Sequence, residues 1–243
     1  MRIVINALQY RANGSGISVY IRELFSRFLE QTNNRCTIIV PKNCIVFPCG
    51  KDTEIIEAPC SYEEGIKRVF FQSFQLGRKK YVKDSILLTV DSKIPLILPK
   101  SCRLIPIITD LAIFRMPEVY QKSRVFLWRL QYRFLCKRAK HFLAISEFTK
   151  EEMEDILHIP SEKIDVVPCA ANKEIHRVTD KEEINHLRKE YILPEHYILF
   201  VGNYNPRKNL KRLIRAFDRL KQETDLPHEL VIAGGQGWMF NAE

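Results

Sequence analysis

A chain of 243 residues with 46% hydrophobic, 28% charged and 10% aromatic side chains can bury an ordinary core, which excludes a disordered polymer. No apolar run reaches the roughly 18 residues that a membrane-spanning helix needs. Lys and Arg number 38 against 29 Asp and Glu, a formal charge of +9, which favours anionic partners; zinc-finger and RNP-type signatures are missing, so phosphorylated small molecules or anionic lipid are expected rather than nucleic acid.

From the N-terminus, Arg2–Asn6 is too short and polar for a signal peptide and reads as a strand, so a cytoplasmic location is expected. The small-residue turn Asn13-Gly14-Ser15-Gly16 follows. From Ile17, apolar residues recur at Tyr20, Ile21, Leu24, Phe25 and Phe28, which is helical spacing. Further strands are predicted at Cys36–Val40, Ile86–Val90, Leu104–Ile108, Phe142–Ile145 and Ile164–Val167. Several are near-continuous apolar runs, as in strands buried on both faces. Between them lies a basic helix, Lys122–Lys140. A charged helix follows over Lys181–Tyr191, then strands at Tyr197–Val201 and Leu230–Ala233 flank a helix with Leu210, Leu213, Ile214, Phe217 and Leu220 on one side. Strands alternating with helices predict an α/β fold with a parallel sheet and right-handed crossovers. The apolar anchors thin out after Ala170, which divides the chain into a first domain at 1–175, a linker and charged helix at 176–194, and a second domain beginning at 195–243. Seven cysteines, an odd number with no Cys-x-x-Cys pair, predict neither a disulfide framework nor a zinc site. No metal or cofactor is expected.

Three segments carry candidate chemistry. Gly14, Ser15 and Gly16 stand between a strand and a helix, where backbone N–H groups and a positive dipole end can meet a ligand. The dinucleotide fingerprint fails, because Val19 stands where the third Gly is needed; a plain flexible turn is the alternative. The second segment, Gly202-Asn203-Tyr204-Asn205-Pro206-Arg207-Lys208-Asn209, ends a strand and opens a helix, with Asn209 as a candidate cap. A guanidinium and an ammonium side by side suit a diphosphate. Cations at a helix start are disfavoured by the dipole, so their presence there tilts the reading from a solvated pair towards an anionic ligand. In the third, Lys122–Lys140, Arg129, Arg133 and Lys137 are interleaved with Phe126, Leu127 and Trp128. It suits an anionic membrane surface, or else a core helix with a charged outer face.

The run Ile198-Leu199-Phe200-Val201-Gly202, then Pro206-Arg207-Lys208-Asn209-Leu210, then Leu213-Ile214-Arg215-Ala216-Phe217 resembles the start of the C-terminal Rossmann domain of family-4 retaining glycosyltransferases of the two-domain GT-B type. Leu230 to Trp238 is similar to that family's next strand and Gly-rich turn. Gly14-Ser15-Gly16-Ile17 with Tyr20, Ala144-Ile145-Ser146-Glu147-Phe148 and Lys163-Ile164-Asp165-Val166-Val167-Pro168 match upstream in kind and order. The resemblance implies a Rossmann-like acceptor-side domain followed by a donor-binding one. It implies transfer of a sugar, with retention, from a nucleotide-diphosphate sugar to a saccharide or lipid-linked acceptor in cell-surface polysaccharide or lipopolysaccharide synthesis. Arg207 and Lys208 would hold the diphosphate, Gly202 and Asn203 would lie near the donor, and metal would not be needed.

Two departures qualify that expectation. Where members of the family read Thr-x-His-Asp-Leu, this chain reads Ile107-Ile108-Thr109-Asp110-Leu111. Thr109 therefore occupies the expected His position and cannot titrate near neutral pH. Asp110 remains as the catalytic candidate, with a turn cap after a strand as its other reading. The family's Glu-x7-Glu segment would lie beyond residue 243, and a whole Rossmann domain needs on the order of 100–150 residues. The second domain is accordingly expected to be incomplete and the fragment inactive alone, its other half belonging to a longer or separate chain. A non-catalytic nucleotide-sugar-binding or accessory subunit is the alternative.

Overall fold

The computed structural model describes residues 2–12, 14, 16–44, 52–91, 94–170 and 175–235. The chain divides into two compact units, Met1–Asn172 and Lys173–Glu243.

The first unit is a parallel α/β layer structure. Its strands are β1 (Arg2–Asn6), β2 (Arg35–Val40), β3 (Thr53–Glu57), β4 (Ser85–Val90), β5 (Arg103–Ile108), β6 (Phe142–Ala144) and β7 (Ile164–Val166). They lie in the order β3-β2-β1-β4-β5-β6-β7, all parallel. Alternation along each strand splits the core between the two faces. On one face Ile3, Ile5, Ile38 and Val40 pack with Ile21, Phe25 and Leu29 of α1 (Ile17–Gln31). On the other, Val4, Ile39, Leu87 and Ile108 pack with Tyr132 and Leu135 of α5 (Lys122–Arg138) and with Met153 of α6 (Glu147–Leu157). Ser146 caps α6 by accepting from the Thr149 amide at 3.1 Å, and His158 ends it in the left-handed conformation.

Three parts of this unit differ from the sequence expectation. The edge strand β3 was not foreseen: its sequence, Thr-Glu-Ile-Ile-Glu, is largely exposed, so it lacks the apolar run that marks the central strands. Nor was the helical stretch after it. There α2 (Gly65–Phe70) runs directly into a π-helical turn at Phe71–Gln75, and α3 (Lys79–Val82) follows, with the short α4 (Ala112–Arg115) after β5. The basic helix ends at Arg138, two residues short of the sequence reading, because Ala139 turns to extended backbone.

The second unit contains α7 (Lys181–Glu190), β8 (Tyr197–Val201), α8 (Leu210–Glu223) and β9 (Glu229–Ala233). The two strands pair in parallel, Tyr197 against Glu229 through Val201 against Ala233. Asp180 opens α7 by accepting from the Glu182 amide at 2.8 Å.

Candidate functional site

In an open parallel sheet, ligands bind beyond the carboxyl ends of the strands, where the strand order reverses. In the first unit that reversal falls between β1 and β4, since the chain leaves β1 towards β2 and returns on its other side. Gln9 spans the gap by donating from Nε2 to the Val90 carbonyl at 3.0 Å. Ser18, in the first turn of α1, pins the loop: its hydroxyl donates to the Gln9 carbonyl at 3.1 Å and accepts from the Arg11 amide at 3.2 Å. Gly14 is required here, because a Cβ would lie 2.4 Å from the Ser18 hydroxyl oxygen. Gly16 has φ +58°, a conformation that favours glycine. Ser15 and Asn13 lie outside the described residues.

Across the crevice, Asp91 follows β4 in the left-handed conformation, φ 57°. Its carboxylate accepts from the Thr109 amide at 3.0 Å and from the Thr109 hydroxyl at 2.6 Å. Asp91 is the group that sequence reasoning missed. The available signal was a lone carboxylate immediately after a buried apolar strand. Its charge, together with burial, which is the larger effect, raises the pKa values of Tyr20 and Tyr132. The Tyr20 hydroxyl is buried and has no partner among the described residues. Asp110 is exposed, and its Oδ1 accepts from the Ala112 amide at 3.0 Å, which caps the turn into α4. Thr109 thus joins Asp91 in a hydroxyl–carboxylate pair, and Asp110 is engaged in a turn.

In the second unit, β8 ends at Gly202, whose amide donates to the Ala233 carbonyl at 2.9 Å; the Tyr204 amide donates to Gly235 at 3.0 Å. The two loops approach so closely that a Cβ on Gly234 would lie 2.0 Å from the Gly202 carbonyl oxygen. Pro206–Lys208 form one 3-10 turn, started by the fixed φ of Pro206. Asn209 then takes φ 54°, a left-handed conformation that Asn tolerates better than most residues, and α8 begins. The expected cap is corrected in one respect: the Asn209 side chain makes no capping bond. Instead its carbonyl receives the amides of Arg212 and Leu213. Arg207 and Lys208 are exposed, and the Lys208 Cε lies 4.0 Å from where a Gly202 side chain would begin. Gly202, Asn203, Arg207 and Lys208 therefore share one end of the β8–β9 pair. Among the described residues, no three His, Cys, Asp or Glu side chains come together as a metal site.

Two parallel α/β units, one with a crevice at its switch point and one with a cationic turn at the head of a helix, are consistent with an incomplete fold of the GT-B glycosyltransferase type. The comparisons agree. Residues 110–175 match the model of Glycosyltransferase Family 4, and residues 183–243 match that of Glycosyl transferases group 1. The O-antigen chain mannosyltransferase B of Escherichia coli is 28% identical over 129 residues, 53% of this chain and 34% of that protein. The serotype-specific mannosyltransferase WbdA of Escherichia coli is 30% identical over 98 residues, 40% of this chain and 12% of that protein. Among solved structures, Anabaena HepE in complex with UDP-glucose superposes with a TM-score of 0.65 at 12% identity, covering 98% of this chain and 62% of HepE. Sucrose-phosphate synthase from Thermosynechococcus elongatus gives 0.64 at 13% identity, covering 99% and 64%. The two matched segments and the mannosyltransferase relatives support a family-4-like glycosyltransferase, and the chain spans about a third or less of the curated relatives it matches.

Proposed function

We propose that this chain contributes to sugar transfer, with retention, from a nucleoside-diphosphate sugar to a hydroxyl of a saccharide or lipid-linked acceptor during cell-surface polysaccharide assembly. The observation that carries the reading is the Pro206–Lys208 turn. It sets two exposed cations at the head of α8. A diphosphate there would receive charge-assisted hydrogen bonds and the positive end of the helix dipole. As the sugar–phosphate bond breaks, the same groups would stabilise the charge growing on the leaving diphosphate. These fixed cations supply what a metal supplies in other diphosphate sites, so the reading needs no metal and no cofactor. The mannosyltransferase relatives favour mannose as the sugar, and the UDP-glucose complex of HepE favours a nucleoside-diphosphate donor.

The first unit would hold the acceptor at the β1–β4 crevice, where Tyr20 has a buried hydroxyl without a partner among the described residues. Thr109 bonded to Asp91 favours a second reading, an accessory subunit that binds donor without turning it over.

Calorimetry with UDP and GDP tests the reading. Arg207→Ala with Lys208→Ala is expected to weaken binding by roughly tenfold to several hundredfold, since a hydrogen bond to a charged group contributes about 1.5–3 kcal/mol. Unchanged affinity would sink it. A transfer assay on Thr109→His, run on the chain joined to the missing half of its second domain, separates the alternatives: gained turnover supports the enzyme, whereas intact binding with no turnover supports the accessory subunit.

A further inference from the structure

The helical stretch that the sequence reading passed over lies against the basic helix. Val69, Gln72 and Ser73 form one wall of a cavity of about 30 Å³, and Leu127, Trp128 and Gln131 form the other. Residues 65–83 and 121–140 therefore make one continuous surface of the first unit. Its apolar side chains are unusually bare: Ile66 is 89% exposed, Phe126 73%, Phe70 and Leu130 53%, Phe74 49% and Leu127 45%. A surface of this kind needs a cover.

Charge identifies the cover. The two segments hold 13 of the chain's 38 cations and none of its 29 acids. The whole positive surplus of the protein resides here, and the rest of the chain is net acidic. Lys67 and Lys83 have acidic partners just outside the segments, Glu64 and Asp84, while Lys122, Arg124, Arg129, Arg133 and Lys137 line the exposed side of α5. A protein partner would have to match a cationic, aromatic face with an acidic, apolar one. A bilayer with anionic headgroups offers both without special fitting. Position agrees as well. Both α2 and α5 lie in crossovers that leave the carboxyl ends of strands of the parallel sheet, the rim on which the candidate acceptor crevice also opens. The buried Gln72 side chain, whose Nε2 has no partner among the described residues, lines the cavity between them and can donate to a water held there.

We infer that α2, the π-helical turn and α3 join α5 in a single face that docks on an anionic lipid surface, with Phe70, Phe74 and Phe126 entering the headgroup layer. The face extends to a second segment the membrane contact expected of residues 122–140. It rests on geometry independent of the nucleotide loop, so vesicle binding and nucleotide binding can fail separately.

The test is co-sedimentation of the full chain with vesicles of phosphatidylcholine alone or mixed with phosphatidylglycerol. Binding is expected to the mixed vesicles, to fall by about fivefold per cation removed in Lys79→Gln with Lys80→Gln and in Arg129→Gln with Arg133→Gln, and to weaken in high salt. Phe70→Ser with Phe126→Ser should abolish the salt-resistant remainder. All six positions are exposed, and unchanged thermal melts would show that the variants fold. No binding to mixed vesicles overturns the inference, as does equal binding to phosphatidylcholine alone. Wild-type affinity in the Lys79 and Lys80 variant returns the contact to α5 alone. A dimer in sedimentation that the Phe variant dissolves would show that a second copy of the chain covers the face.

Discussion

The two units are built by the same strand–helix alternation, yet they bury very different amounts of surface. In the first, Phe25, Phe71 and Phe142 are almost wholly removed from water, and apolar layers cover both faces of the sheet. In the second, no described residue is buried: Val201 is 71% exposed, Leu199 52% and Ile214 45%. The comparison teaches that loop chemistry and scaffold stability are separable. The Pro206–Lys208 turn is set by local backbone rules, a fixed proline φ and a left-handed Asn209, whereas the Asp91–Thr109 pair depends on strands held in register by a packed core.

The largest expected contrast is in hydrogen exchange. Amides of β1 and β4 should exchange only through global opening, whereas those of β8 and β9 should exchange through local opening with little surface to re-expose. Global stability of ordinary domains is about 5–15 kcal/mol, so protection should differ by three orders of magnitude or more. Equal protection in Arg2–Asn6 and Tyr197–Val201 would break the comparison.

Substitution should show the same asymmetry on a smaller scale. Phe25→Ala removes a ring that is 1% exposed and should cost about 3–5 kcal/mol. Leu199→Ala removes a side chain already half in water and should cost on the order of 1 kcal/mol or less. Denaturant melts followed by circular dichroism measure both. Similar costs would mean that Leu199 is covered in solution.

The same physics decides what could be read from sequence. Central strands announced themselves because burial on both faces writes a continuous apolar run, as in Ile86–Val90 and Leu104–Ile108. β3 did not, being an exposed edge whose only strand signal is Ile55-Ile56 between two acids. The Arg207–Lys208 turn was visible because its residues are neighbours in the chain. The Asp91–Thr109 bond was not, since its partners lie 18 residues apart and meet only through the β4–β5 pairing. Residues 65–83 carried a legible charge pattern, six cations and no acid. A π-turn has no sequence signature, however, and the significance of those charges depends on Leu127 and Trp128 lying alongside.

The smallest expected effect again separates the units, this time through pH. Cys136 sits on α5, and burial pushes its thiol from the ordinary 9.0 up to about 11. An unfolded chain releases that proton near pH 9, whereas the folded chain holds it until about 11. The native state thus binds more protons in this window, and stability must fall as pH rises. The contribution is complete below pH 9 and gone above about 11; a shift of this size corresponds to at most about 2–3 kcal/mol, and partial solvation of the side chain brings it to on the order of 1–2 kcal/mol. Tyr20 and Tyr132, both raised chiefly by burial, add to the loss at still higher pH. Residues 173–243 contain no cysteine, so the Cys136 contribution belongs to the first unit. Thermal melts across the window should therefore show a shallower alkaline decline in Cys136→Ala than in the native chain, with the two curves differing by a constant offset below pH 9. An identical alkaline slope would mean that the thiol is solvated and that α5 packs less tightly on the sheet than Tyr132 and Leu135 require.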